Sequence, residues 1–156
     1  MEYRNLGKTG LKVSALSLGT ATFGGTNEFF ARWGQSDVHE ASRLIDISLE
    51  RGVNFFDTAN VYSAGDSENI LGEAIKGRRN RLLISTKAGF AMGEGANEKG
   101  LSRFHIMKEV EDSLRRLKTD YIVVYFVHAF DNNTPVEETL TTLHHLIAAG
   151  KLRYIA

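Results

Sequence analysis

Hydrophobic positions along this chain fall into two alternating kinds of segment. Short runs rich in branched and aromatic residues occupy Ala15 to Leu18, Val53 to Phe56, Arg81 to Thr86, Tyr121 to Val127 and Leu152 to Ile155. None alternates apolar with polar as a one-sided sheet would, so the runs read as buried strands of a parallel sheet. Between them, apolar residues recur three and four apart: Ala41, Leu44, Ile45 and Leu49; Ile70, Leu71, Ala74 and Ile75; Ile106, Val110, Leu114 and Leu117; Val136, Leu140, Leu143 and Ile147. These spacings predict four helices, each offering one apolar stripe to the sheet.

Local punctuation agrees with the periods. Thr134-Pro135-Val136-Glu137 predicts a helix start, with a capping hydroxyl, a proline where its missing N–H costs nothing, and a carboxylate reaching back. Gly52, Gly77 and Gly150 follow the first, second and fourth helix patterns, where a left-handed terminal residue is cheapest for glycine. At the front, Glu2 to Leu6 and Leu11 to Val13 flank Gly7-Lys8-Thr9-Gly10 and predict a small antiparallel hairpin, placed to plug one end of a barrel.

The α/β pattern therefore contains four βα units and the start of a fifth strand, after an N-terminal hairpin. A closed eight-strand (β/α) barrel takes about 250 residues, so residues 1–156 read as a TIM-barrel half forming one partial domain. An open doubly wound sheet is the second choice, because Gly19-Thr20-Ala21-Thr22-Phe23-Gly24-Gly25 does not match the dinucleotide fingerprint.

Composition narrows the partners. With 19 Lys and Arg against 19 Asp and Glu, the chain carries no net charge and lacks the long-range field of a nucleic-acid or membrane-surface binder. A small neutral molecule fits better. With 42% hydrophobic residues, disorder by composition is excluded. The absence of cysteine excludes disulfides, thiol catalysis and thiolate metal sites. Polar residues follow Met1, and no run of about 18 apolar residues occurs, so neither a signal peptide nor a membrane span is expected and the cytoplasm is the default location.

In parallel α/β architectures the functional rim lies at the carboxyl ends of the strands. Asp57 ends the second predicted parallel strand and Tyr62 lies five residues on; Lys87 ends the third and His128 the fourth. A phenol is a poor acid at neutral pH, but a neighbouring ammonium stabilises its phenolate. A carboxylate offsets that buried ammonium, and an imidazole can orient a carbonyl oxygen that accepts the phenol's proton. Taken singly, each of these four has a bland reading as a hydrogen-bonded loop or core residue; together they describe carbonyl reduction. No side chain supplies hydride, so a nicotinamide or flavin cofactor is implied.

These residues and the four stretches that follow resemble the aldo-keto reductase family across essentially the whole chain. The stretches are Tyr3 to Ser14, the Leu18-Gly19-Thr20 turn with Asn54 to Tyr62, and Thr134 to Leu140. The resemblance implies a (β/α)8 barrel that reduces aldehydes and ketones with NADPH, using a tetrad that falls on Asp57, Tyr62, Lys87 and His128. It also implies that Gly19, Thr20, Ala21 and Asp57 lie near the nicotinamide, and that Phe23, Trp33 and His128 border the carbonyl substrate. The family barrel continues through four further strands, which stack the nicotinamide and bind the pyrophosphate and 2′-phosphate.

Other features admit plainer roles. Phe23, Phe29, Phe30 and Trp33 either line an apolar substrate pocket or hold the first loop down. Four cations in Lys76 to Arg81 sit at a predicted helix end, where they complement the dipole, and at the amino end of a strand, away from the rim. His144 and His145 point about 100° apart on a helix, so no metal site is expected. The glycine-rich stretch Ala88 to Leu101 is either a lid over the rim or a disordered loop. The rival to an oxidoreductase is a non-catalytic half-barrel that associates through its open sheet edges, forming a homodimer.

Overall fold

The computed structural model describes residues 1–25 and 28–156. Strands β1 (Tyr3–Asn5) and β2 (Lys12–Ser14) pair antiparallel. Five further strands follow: β3 (Ser17–Gly19), β4 (Phe55–Asp57), β5 (Leu83–Ala88), β6 (Ile122–Val127) and β7 (Leu152–Ile155). They form one sheet in sequential order, with every neighbouring pair parallel. This is the predicted partial TIM-barrel with its hairpin. The hairpin lies at the amino end of the sheet, where the Tyr3 hydroxyl donates to Gly52 O at 2.8 Å and Ser14 N donates to Asn54 Oδ1 at 2.8 Å.

The helices are α1 (Glu28–Ala31), α2 (Val38–Glu50), α3 (Asp66–Ala74), α4 (Arg103–Leu117) and α5 (Val136–Ala148). The four long ones match the predicted patterns, and α1 is an addition that the first loop's sequence did not announce. Helix α2 is capped by Asp37, whose side chain accepts from Glu40 N, and α4 by Ser102, which accepts from His105 N. Gly52, Gly77 and Gly150 are left-handed, with φ of 81°, 75° and 74°. The remaining helix, α4, ends instead on a left-handed Lys118.

Two expectations change. The hydroxyl of Thr134 does not cap α5; it donates to Asp131 Oδ2 at 2.7 Å, and Pro135 lies just outside the helix with ψ of 134°. The charge-assisted bond to the carboxylate fixes the hydroxyl's rotamer toward Asp131 and away from the helix N–H groups it would cap. The early strands also begin about two residues later than their apolar runs and extend into Gly19, Asp57 and Ala88. Burial sets the apolar run, whereas the ladder continues into the polar residues at the rim.

Phe56, Ile84, Ile45, Leu71, Ile106, Val110, Leu117 and Leu143 join one apolar cluster between the sheet and its helices. Helices α3 and α4 approach so closely that a Cβ on Gly72 would lie 3.0 Å from Leu117 Cα. This packing holds the strand ends at fixed spacing.

Candidate active site

The register of the sheet assembles the site. Gly19, Asp57 and Ser85 are aligned across β3, β4 and β5. Lys87, two residues beyond Ser85, projects to the same face. Its ammonium donates to Asp57 Oδ2 at 2.6 Å, to Thr58 O at 2.8 Å and to the Tyr62 hydroxyl at 3.3 Å. Those three acceptors occupy the donors of one ammonium. Asp57 Oδ1 accepts from the Ser85 hydroxyl at 2.7 Å, so the carboxylate is held at both oxygens.

Tyr62 begins a tight turn after β4 in which Ser63 and Ala64 adopt left-handed backbone, with φ of 49° and 55°. The Ser63 hydroxyl, buried in the turn, donates to Phe23 O at 3.2 Å and accepts from Gly25 N at 2.8 Å. His128 follows β6, its N–H donating to Ala88 O at 2.9 Å, and its ring lies 6.1 Å from that of Tyr62. Burial and then the Lys87 charge push His128 below the ordinary imidazole range, against a smaller opposing pull from Asp57. Its Nδ1 is buried without a hydrogen-bond partner. The imidazole is thus kept neutral beside the ammonium–phenol pair, the state in which one ring nitrogen donates a hydrogen bond.

The structure therefore brings Asp57, Tyr62, Lys87 and His128 to one mouth. Gly19 lies at its edge, and a Cβ built on Gly19 would meet nothing within 4 Å, leaving open space beside Asp57. Thr20 is different from what its place in the sequence implied. It is fully buried, with its N–H donating to Asp57 O, its carbonyl accepting from Ser67 and its hydroxyl shared with Ser67. It shapes the turn and offers no polar atom to a ligand. Phe23 is fully buried and belongs to the apolar cluster. Trp33 is 57% exposed and reaches the site through Phe30, which stands 6.2 Å from Trp33 and 5.7 Å from Tyr62 between ring centroids.

Two contributors escaped the sequence. Ser85 shares a face with Lys87 by the two-residue period, a signal that was available. Phe90, edge-on to His128 at 4.7 Å, sits in a glycine-rich stretch with no periodicity to mark it. Phe30, named among the first-loop aromatics, belongs to the unannounced α1 and lies against Tyr62. The stretch containing Phe90 is internally bonded: Gly100 N donates to Gly89 O at 3.0 Å, Met92 N to Glu98 O, and Leu101 N to Asp131 Oδ2.

The basic run is occupied structurally. Arg79 donates to Leu82 O, Tyr121 O and Thr119, and Arg78 to Ala74 O, Ser42 and Asp46. Among the described residues, no group of three or more His, Cys, Asp or Glu side chains is placed to hold a metal.

Residues 15–156 match the family model described as Aldo/keto reductase family. The chain belongs to the aldo/keto reductase family. Curated relatives named "Probable voltage-gated potassium channel subunit beta" are 46% identical over 154 residues in Arabidopsis thaliana and 44% over 158 residues in Oryza sativa subsp. japonica. These alignments cover 96% and 99% of this chain but 44% and 45% of the relatives, so the chain spans about half the length of the curated relatives it matches. Among the described residues, no helix is long and apolar enough to cross a membrane.

Proposed function

We propose that this chain carries the proton-donating centre of an NADPH-dependent reduction of an aldehyde or ketone to an alcohol. The observation that carries the reading is Lys87 Nζ lying between Asp57 Oδ2 at 2.6 Å and the Tyr62 hydroxyl at 3.3 Å. Gly19, Ala21 and Asp57 would hold the nicotinamide end, in the open space beside Gly19. When bound, NADPH supplies the hydride that reduces the carbonyl carbon.

Tyr62 gives its hydroxyl proton to the carbonyl oxygen as that oxygen gains charge, and Lys87 stabilises the phenolate that remains. Asp57 keeps the ammonium in place and offsets its charge. His128, held neutral, donates a hydrogen bond that fixes the substrate oxygen near the phenol. Phe90 and Phe30 shield the Tyr62–His128 gap from water, and Trp33 faces the substrate side. The test is aldehyde-dependent NADPH oxidation: Tyr62→Phe removes only the transferable proton and should lower kcat by about a hundredfold or more. A full rate in the variant overturns the assignment. Fluorescence of Trp33, the chain's one tryptophan, titrated with NADPH and NADH, tests the cofactor preference.

A second reading concerns partners. A groove of about 500 Å³ beside β7 and α5 is lined by Val127, Phe130, Val136, Leu140 and Ile155, all substantially exposed. That apolar face favours self-association of the half-barrel, which light scattering after size exclusion would detect as a dimer; a monomer at micromolar concentration overturns it. The printed name of the relatives adds a membrane channel as a partner class, tested by co-purification with a potassium channel. Both partners are compatible with a cytoplasmic location.

A further inference from the structure

Tyr62 sits at the head of a turn that the backbone alone would not maintain. Ser63 and Ala64 are left-handed non-glycine residues, a conformation that costs about 1 to 2 kcal/mol each, so neighbouring structure must impose it. The side chains that flank the turn converge on one buried charged network in the helix layer, on the face of the sheet opposite the mouth.

Ahead of the turn, Asn60 is fully buried. Its N–H donates to Lys87 O at 3.1 Å, and its Nδ2 donates to Glu109 Oε2 at 2.9 Å. Behind the turn, Gly65, with φ of 99°, lies against the Arg116 side chain, where a Cβ would meet Arg116 Cδ at 2.9 Å. Glu109 in turn has Lys108 Nζ at 3.3 Å and an Arg116 nitrogen at 3.8 Å. Arg116 Nε donates to Glu68 Oε2 at 2.6 Å, and Glu68 Oε1 accepts from the Thr86 hydroxyl at 2.5 Å. Thr86 is the residue before Lys87. The same network therefore grips the chain on both sides of Tyr62 and immediately before Lys87, without touching the mouth.

We infer that Asn60 and Glu109 are positioning residues for Tyr62: their hydrogen bond sets the turn that holds the phenol within reach of the Lys87 ammonium. The inference rests on the reading of Tyr62 as the proton donor. Donor and acceptor are fixed in kind, because the Asn60 amide donates and the Glu109 carboxylate only accepts. Glu109→Gln keeps an acceptor oxygen for Asn60. Asn60→Asp sets two carboxylates against each other and breaks the bond. The double variant Asn60→Asp with Glu109→Gln restores a bond of reversed direction, the glutamine amide donating to the new carboxylate.

The test uses amide hydrogen exchange over residues 58–65 and over β5, followed by NADPH-dependent kinetics. In Asn60→Asp, exchange over 58–65 should quicken about tenfold or more while β5 is unchanged, and the double variant should return it to the parent rate. In kinetics, Asn60→Asp should lower kcat about tenfold with little change in KM, since a displaced phenol binds substrate but transfers its proton poorly. Unchanged exchange at 58–65, equal acceleration throughout the chain, or an undiminished kcat in a folded Asn60→Asp protein would each overturn the inference. If Asn60→Asp does not fold, Asn60→Leu, which removes the donor and leaves Glu109 with Lys108 and Arg116, must give the same local exchange and kcat loss. Failure of Tyr62→Phe to lose activity would instead overturn the proton-donor reading, and the exchange result would stand apart from it.

Discussion

Two ionic clusters lie back to back on β5, one at the mouth and one in the helix layer, and they use the same chemistry to opposite ends. At the mouth, Lys87 and Asp57 form a pair whose side chains are 13% and 27% exposed, and beside it stand a phenol and an imidazole with Nδ1 unpartnered. Behind the sheet, Glu68 is fully buried and takes bonds from Thr86, Ser113 and Arg116. The first faces an open mouth; the second pairs every carboxylate oxygen of Glu68 within the protein and leaves only neutral atoms, Asn60 Oδ1 and the Tyr125 hydroxyl, without a partner. A buried charge is far costlier to leave unpaired than a buried neutral group.

Breaking one partner in each cluster should separate the two roles. Arg116→Ala leaves the Glu68 carboxylate buried without its cation and should cost about 3 to 5 kcal/mol of stability, read by urea unfolding. A loss under 1 kcal/mol would mean that the buried pair is not what holds α3, α4 and β5 together. Lys87→Met should cost less stability, about 1 to 2 kcal/mol, because its partner keeps Ser85 and some water. Its activity should fall about a hundredfold, so the ranking of the two variants reverses between a melt and an assay.

Smaller effects sharpen the contrast. Asp131 ties the stretch after β5 to the loop after β6, and hydrogen bonds from Thr134, Leu101 and Asn133 hold its carboxyl below the usual range. Asp131→Ala should speed proteolytic cutting within residues 89–101 while leaving the core's unfolding midpoint within about 1 kcal/mol. His128 gives the smallest effect. Its pKa is depressed in the folded chain, so its contribution to stability is complete above the ordinary imidazole value and is lost as pH falls through the folded-state value. His128→Asn should flatten that part of the stability–pH curve; an unchanged slope would show that the imidazole is not buried beside a cation.

Much of the mouth was legible because its polar residues interrupt or end apolar runs, as Asp57, Lys87 and His128 do. The N-terminal hairpin and the helix-end glycines were legible for the same local reason. The rear cluster was not. Glu109, Ser113 and Arg116 recur at helical spacing beside the apolar stripe of Ile106, Val110, Leu114 and Leu117, and charges there read as a solvated flank. They are buried because α3 lies over them, and Gly72, which permits that approach, looks like any other helix glycine. The burial of Thr20 and Phe23 was hidden for a related reason: a position beside a rim does not say which way a side chain turns.

The neighbours Thr86 and Lys87 serve opposite sides of the sheet, so their order is a matter of parity. Inserting or deleting one residue within β5 would send the ammonium into the helix layer and deliver an apolar or hydroxyl group to the mouth. Length variation is therefore barred from the strand that carries Lys87, while the Met92–Glu98 turn, beyond the Gly89–Gly100 neck, is closed by its own hydrogen bonds and can change length without moving the strand. Divergence among such proteins would accumulate in that outer loop, with the strand as its fixed root.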